Sequence, residues 1–167
     1  MPLYFAYGSN MDVAAMAARC PRSKPLGPAR LMRHRLVLMR EGWLNAARDP
    51  HSTVHGILWD LALSDTPALD RYEGVASGLY RKALQAVATA TGAKRALIYF
   101  GANAGPGSPS PGYIEGVIAA AQFWRLPPAA LTALSAFATN PSEGAGGAAS
   151  APTPRVRPRY ATPFDRS

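Results

Sequence analysis

Residues 3–10 read LYFAYGSN, an apolar and aromatic run that passes directly into glycine, serine and asparagine. The run Leu3–Tyr7 is typical of a short buried strand. The glycine after it permits a tight turn, and Asn10 or Asp12 can then cap a helix over Asp12–Arg19. The start of the chain therefore predicts a strand, a polar turn and a short helix.

Two further strands are predicted downstream. Ala29–Met39 and Val54–Leu61 contain the aliphatic residues of buried strands, whereas Glu41–Ser52 between them has the composition of a loop, with Asp49-Pro50 as a turn signal. Gly56 inside the second strand indicates a bulge or a close approach of another backbone.

Ser64 is placed to cap a short helix that carries Pro67 in its first turn and ends at Gly74. A β-hairpin is predicted next, and two helices follow a loop rich in glycine, proline and serine. The bounds are Leu79–Thr89 and Lys94–Phe100 for the hairpin, Gly101–Gly112 for the loop, and Tyr113–Trp124 and Ala129–Phe137 for the helices.

The predicted order is therefore β-α-β-β-α-β-β-α-α. Strands that follow one another with few helices between them favour an antiparallel or mixed sheet over a doubly wound parallel one. We predict an α+β fold in which such a sheet can close into a small barrel.

The chain has 167 residues, of which 48% are hydrophobic, enough for one domain with a core. From Asn140 onward it is dense in proline, glycine, alanine and serine, so it cannot bury enough apolar surface to offset its chain entropy. We therefore divide the chain into a folded domain over 1–140 and a tail over 141–167 outside the core.

Composition also argues against several classes of protein. No apolar run approaches the roughly 20 residues of a membrane span, and the first residues do not resemble a signal peptide. The single cysteine, Cys20, excludes an intrachain disulfide, so the cytoplasm is the expected compartment. The formal net charge of +8 invites a nucleic-acid interpretation, but the basic residues are not interleaved with aromatic ones, which favours a solvated basic face.

No metal or nucleotide motif stands out. The histidines at His34, His51 and His55 lack metal-site spacing, and neither GxGxxG nor GxxxxGK[ST] occurs. The turn Tyr7–Asn10 could gather successive amides around a carboxylate or an oxyanion, although, taken alone, it is better explained as an ordinary strand-to-helix turn.

Glu73 is a second unusual feature. It ends the short helix, where the helix dipole disfavours a negative charge, and Gly74-Val75 after it make its surroundings apolar. Partial desolvation there would raise the pKa of the carboxyl, as a general base needs near neutral pH. The spacing is equally compatible with a solvent-facing glutamate paired with Arg71 or Lys82.

Several motifs occur in order along the domain. They are YFAYGSN at Tyr4–Asn10, EGV at Glu73–Val75, SGLY at Ser77–Tyr80 and SPGY at Ser110–Tyr113, followed by Leu126-Pro127. In this combination the chain resembles the gamma-glutamylcyclotransferase family from Tyr4 to about Asn140. The resemblance implies a small β-barrel with flanking helices, in agreement with the predicted order of elements.

The resemblance also implies an intramolecular acyl transfer that needs no cofactor and no metal. The α-amine of a γ-glutamyl amide attacks its own γ-carbonyl, and 5-oxoproline and a free amine or amino acid are released. Glu73 is the implied general base, which later passes the proton to the leaving nitrogen. The residues implied to bind this small-molecule substrate are Tyr4, Phe5, Ala6, Tyr7, Gly8, Ser9, Asn10, Tyr80 and Tyr113.

Three points stay open. The amides of Gly8–Asn10 could hold either the α-carboxylate or the oxyanion. The arginine-rich region Arg19–Arg48 matches nothing in the family pattern, which leaves the choice of substrate in doubt. The alternatives are the same chemistry on another γ-glutamyl amide, such as a γ-glutamyl amine or a biosynthetic protecting group, and a non-catalytic binding module that uses the basic surface.

Overall fold

Residues 2–138 are described by a computed structural model, in which five strands form a closed barrel. The strands are β1 (Leu3–Ala6), β2 (Lys24–Leu38), β3 (Leu44–Asp60), β4 (Tyr80–Thr89) and β5 (Gly92–Gly101). The helices are α1 (Val13–Arg19), α2 (Thr66–Glu73), α3 (Tyr113–Phe123) and α4 (Pro128–Ala138). Short 3-10 turns lie at Ser9–Met11, Leu63–Asp65 and Val75–Ser77.

The barrel has the strand order β1-β3-β2-β4-β5 and closes between β5 and β1. Strand β1 pairs antiparallel with β3, where Leu3 faces Asp60, and parallel with β5, where Tyr4 faces Leu97. The sheet is therefore mixed, and the predicted fold class and order of elements are confirmed.

The prediction of a loop over Glu41–Ser52 is wrong for most of that segment, because β3 begins at Leu44. The Asp49-Pro50 signal marks a local bulge instead, opposite a register shift between Met32 and His34. There Asp49 Oδ1 accepts from the backbone N–H of His51, and the strand continues beyond. A turn signal on an exposed stretch of a long hairpin thus does not end the strand.

The predicted cap of α2 is also wrong. Ser64 lies inside the 3-10 turn before the helix, and Asp65 occupies the N-cap position without a side-chain cap bond. The Asp65 carboxylate instead accepts from the backbone N–H of Arg22 and the hydroxyl of Ser23, at 2.9 and 2.8 Å. It therefore ties the connection after α1 to the start of α2.

Other local predictions are confirmed. Asp12 caps α1, because its side chain accepts from the backbone N–H of Ala15 at 3.1 Å. A Cβ at Gly56 would lie 2.3 Å from the carbonyl oxygen of Ala6 and 2.7 Å from the ring of Phe5, so two strands approach closely there. Gly74 ends α2 in the left-handed region with φ 67°.

No helix within residues 2–138 is long and apolar enough to cross a membrane. The predicted tail over 141–167 and the end of the 1–140 domain lie outside the described residues, so this division stays a prediction, as does the cytoplasmic location.

Candidate functional site

A cavity opens at the end of β1, between the polar turn that follows this strand and the last residue of α2. Of the residues predicted to form the site, all but Ala6 line it. Ala6 is buried, and its carbonyl oxygen faces Gly56 instead. The described residues that line the cavity are Tyr4, Phe5, Tyr7, Gly8, Ser9, Asn10, Trp43, Leu44, Tyr72, Glu73, Leu79, Tyr80, Tyr99 and Tyr113.

Glu73 is the only carboxylate among the described residues of this cavity wall. It is half-buried, and its Oε1 accepts a hydrogen bond from Asn10 Nδ2 at 3.1 Å. The alternative partner Lys82 bonds Asp70 at 2.8 Å instead. The left-handed residue Gly74 turns the chain away directly after Glu73, which leaves the carboxylate at the cavity.

Asn10 is 3% exposed and connects three side chains of the site. Besides Glu73, its Nδ2 donates to the hydroxyl oxygen of Tyr4 at 3.0 Å. Its Oδ1 accepts from Arg19 Nη1. The asparagine of the YGSN motif is thus held by three side chains, and it presents a donor to the acid.

Two tyrosines of the wall, Tyr7 and Tyr80, donate to backbone carbonyls of the barrel. Tyr7 donates to the carbonyl of Tyr99 at 2.6 Å, and Tyr80 donates to the carbonyl of Leu44 at 2.7 Å. Burial, reinforced for both by the charge of Glu73, raises the pKa of Tyr7 and Tyr80 well above the ordinary value. Because its proton is committed to Leu44, Tyr80 can offer a ligand only its acceptor lone pair.

Tyr113, at the start of α3, stands beside the polar turn. Its hydroxyl oxygen accepts from the backbone N–H of Leu44 at 3.2 Å, and a Cβ at Gly8 would approach it to 3.4 Å. Its ring meets that of Trp43 edge to face, with the ring centres 4.9 Å apart. The loop before α3 therefore delivers Tyr113 to the cavity, as the SPGY motif led us to expect.

Sequence reasoning missed five lining residues: Trp43, Leu44, Tyr72, Leu79 and Tyr99. The hydroxyl of Tyr72 is 2.8 Å from the hydroxyl of Ser9. Its place directly before Glu73 was the signal in the sequence that could have indicated Tyr72 as a lining residue. Trp43 and Leu44 lay in the segment predicted as a loop, where no strand register could be assigned. Tyr99 lies on β5, and only the closure of the barrel against β1 brings it to the site.

Part of the chain is similar in sequence to known proteins. Residues 53–134 match the model of the AIG2-like family. Gamma-glutamylcyclotransferase from Bos taurus is 33% identical over 88 residues, and that from Mus musculus is 34% identical over 88 residues. Each match covers 47% of this chain and 47% of the relative, so the matched region spans about half the length of these curated relatives.

Solved structures extend the likeness to most of the chain. A structure titled gamma-glutamyl cyclotransferase has a TM-score of 0.77 and 28% identity, and the match covers 88% of this chain and 94% of that one. The resemblance to the gamma-glutamylcyclotransferase family is confirmed. An uncharacterized protein from Homo sapiens shares this family's fold, with a TM-score of 0.76, 28% identity, and coverage of 89% of this chain and 93% of the other.

Proposed function

We propose that this protein is a gamma-glutamylcyclotransferase-type enzyme that cyclises a γ-glutamyl amide. The observation that carries the proposal is the placement of Glu73 in one cavity with the YGSN turn. In the reaction, a bond forms between the substrate's α-nitrogen and its γ-carbonyl carbon, and the γ-amide C–N bond breaks. The products are 5-oxoproline and a free amine or amino acid.

Glu73 acts as the general base in this proposal. The substrate's α-ammonium group must lose a proton before its nitrogen can attack, and a carboxylate at the cavity wall can accept that proton. Glu73 then gives this proton to the leaving nitrogen, and the second proton, which the attacking nitrogen loses as it becomes the lactam N–H, goes to the released amine, so Glu73 ends the cycle as it began. The hydrogen bond from Asn10 to Oε1 at 3.1 Å supports the role because it fixes the orientation of the carboxylate.

The turn Gly8–Asn10 binds the polar end of the glutamyl unit. The first N–H groups of a 3-10 turn have no carbonyl partner inside the turn. In the turn Ser9–Met11 these N–H groups can therefore donate to an anion. That anion is either the α-carboxylate or the oxyanion that develops on the γ-carbonyl. Loss of one oxyanion donor costs about 2.7–4 kcal/mol of barrier, whereas loss of a carboxylate donor weakens binding.

The other wall residues shape the glutamyl pocket. Tyr4 and Phe5 line it from β1, Tyr7 lines it from the position directly after this strand, and Tyr80 and Tyr113 complete the wall from β4 and α3. A pocket that folds the substrate so that amine and carbonyl meet supplies much of the catalysis, because an intramolecular nucleophile can reach an effective molarity of roughly 10⁵ M or more. No cofactor or metal has a part in the proposed reaction.

A γ-glutamyl amino acid or dipeptide is the proposed substrate, and another γ-glutamyl amide is the alternative. Incubation with γ-glutamyl-alanine, a γ-glutamyl dipeptide and a γ-glutamyl amine, followed by mass spectrometry, distinguishes them. Release of 5-oxoproline from at least one supports the proposal. Release from none contradicts it.

The substitution Glu73→Gln tests the mechanism. It keeps the shape and a hydrogen-bonding group but removes the base, so we expect 5-oxoproline release to fall at least about a thousandfold. Glu115→Gln is the matched control, because Glu115 is an exposed acid on α3 away from the cavity wall. An active Glu73→Gln protein would overturn the assignment of the base.

A further inference from the structure

Arg19 contacts the candidate site, although it belongs to none of the motifs that indicated this site. It is the last residue of α1 and the first of the arginine-rich region Arg19–Arg48, to which the motifs assign no role. Its Nη1 donates to Asn10 Oδ1, and its guanidinium carbon lies 3.3 Å from the centre of the Tyr72 ring. One cation therefore contacts two residues of the cavity wall.

The contact with Asn10 decides which way its amide faces. An asparagine side chain carries an acceptor oxygen and a donor nitrogen, and a rotation of 180° exchanges them. A guanidinium group has donors only, so Arg19 fixes the oxygen on its own side. The nitrogen must then face Glu73, to which it donates at 3.1 Å. The opposite orientation would place a carbonyl oxygen against the carboxylate.

The contact with Tyr72 holds the residue that directly precedes the acid in α2. A guanidinium group over an aromatic face is attracted by the ring's negative charge density. The hydroxyl of Tyr72 lies 2.8 Å from that of Ser9, so the ring spans from Arg19 to the polar turn. Because Tyr72 precedes Glu73 in α2, holding its ring also holds the end of this helix.

We propose that Arg19 is a positioning residue of the cyclotransferase reaction, which acts through Asn10 and Tyr72 to orient the carboxylate of Glu73. The proposal rests on the proposed function for its effect on turnover. Its effect on the carboxylate can be measured separately.

Arg19 is the cation that Asn10 connects to the carboxylate of Glu73. Asp70, which lies on α2 with Glu73, bonds Lys82 and accepts a hydrogen bond from the hydroxyl of Tyr99 at 2.6 Å. Several titratable groups of the described residues have pKa values that the charge of Glu73 helps to raise, and these groups are neutral near pH 7. They are Tyr4, Tyr7, Tyr80, Tyr99 and Cys20.

The kinetic test compares Arg19→Met, Arg19→Lys and Arg22→Met on the γ-glutamyl amide that gives most 5-oxoproline. We expect Arg19→Met to lower kcat/KM about ten- to hundredfold, the range for loss of a charge-assisted hydrogen bond. Arg19→Lys keeps the charge and one donor and should recover part of the loss. Arg22→Met, which removes an exposed arginine of the same region, should change kcat/KM less than about twofold.

A double-mutant cycle tests the route through Asn10. If Arg19 acts through this side chain, Arg19→Met in an Asn10→Ala background should lower kcat/KM by less than about threefold. Full additivity of the two losses would overturn the proposal. Thermal unfolding of each variant shows whether it is folded, and Arg19→Lys serves if Arg19→Met is not.

A second readout does not need turnover. The ¹³C titration of the Glu73 carboxyl should move its midpoint upward in Arg19→Met, because a nearby positive charge is lost, and stay unchanged in Arg22→Met. An unchanged midpoint in Arg19→Met overturns the proposal. If the protein releases no 5-oxoproline but the midpoint moves, the proposed function is wrong and the positioning of the carboxylate by Arg19 is supported.

Discussion

Two buried asparagines, Asn10 and Asn45, hold two regions of the molecule in different ways. They are 3% and 5% exposed. Within residues 2–138, the side chain of Asn10 bonds other side chains, among them the acid and a tyrosine of the cavity. Asn45 bonds the main chain: its Oδ1 accepts from the N–H groups of Ala46 and Gly101, both at 2.8 Å. Its Nδ2 donates to the carbonyl of Asn103 at 2.9 Å.

The difference separates a group that faces the candidate site from one that holds the backbone of the fold. Backbone groups under a loop must be satisfied in every folded molecule, so the partners of Asn45 are structural. The partners of Asn10 face a cavity, where water or a ligand can replace a lost bond. Equal burial of the same residue type thus predicts different consequences of substitution.

Alkaline pH gives the largest expected effect, because it acts on both regions. Tyr4 accepts a hydrogen bond from Asn10, and Tyr80 donates one to the carbonyl of Leu44, the residue before Asn45. Burial is the main cause that raises the pKa of both tyrosines well above the ordinary value. In the unfolded chain they ionise near pH 10, so the stability they contribute is complete below about pH 10 and is lost as the pH rises further. Each should remove about 1.4 kcal/mol of unfolding free energy per pH unit.

Urea unfolding between pH 9 and pH 11.5 measures this slope. Tyr80→Phe and Tyr4→Phe should each reduce this slope by the contribution of one tyrosine, about 1.4 kcal/mol per pH unit. A slope that neither substitution changes would show that these hydroxyls ionise alike in the folded and unfolded chain.

Asn45→Ala should give the next largest effect, a loss of about 3 kcal/mol in unfolding free energy. Its removal takes a hydrogen-bond partner from the buried N–H of Ala46 and from the partly buried N–H of Gly101 and carbonyl of Asn103. Urea unfolding at pH 7 checks the value, and kcat/KM of the folded fraction should stay within about threefold of the unsubstituted protein. A variant that lost activity but not stability would break the comparison.

Asn10→Ala should give the smallest of the three effects on stability and a clear one on turnover. We expect kcat/KM to fall about thirtyfold, because Glu73 loses the donor that orients it, while the unfolding free energy falls by less than in Asn45→Ala. Asn10→Asp sharpens the test, since a second carboxylate beside Glu73 should be less active still. Equal stability losses in the two alanine variants would mean that burial alone decides.

Most of the fold could be predicted because local rules and tertiary structure agree. The run Leu3–Tyr7, the hairpin at Thr91-Gly92 and the glycine after Glu73 each carry their own signal. The segment Leu44–Ser52 could not be predicted, since its strand character comes from pairing with β2 and its turn residues form only a bulge. Pairing partners distant in sequence leave no local pattern.

The site was predicted as far as its motifs reach. Glu73 and the YGSN turn are marked in the sequence, and the structure brings them within a hydrogen bond of each other. Arg19 and Tyr99 carry no such mark, because a helix end and a distant strand bring them there. Their part in the site depends on geometry that only the folded barrel specifies.

The four-residue strand β1 has a consequence for how the candidate site forms. It leads into the turn of the site, yet it pairs with β3 and β5, which follow much later in the chain. Contacts so distant in sequence form slowly, since a long loop must close before they stabilise anything. During synthesis, β1 emerges before both of its partner strands and must wait for β5, so the proposed turnover should return after refolding only when the barrel has closed.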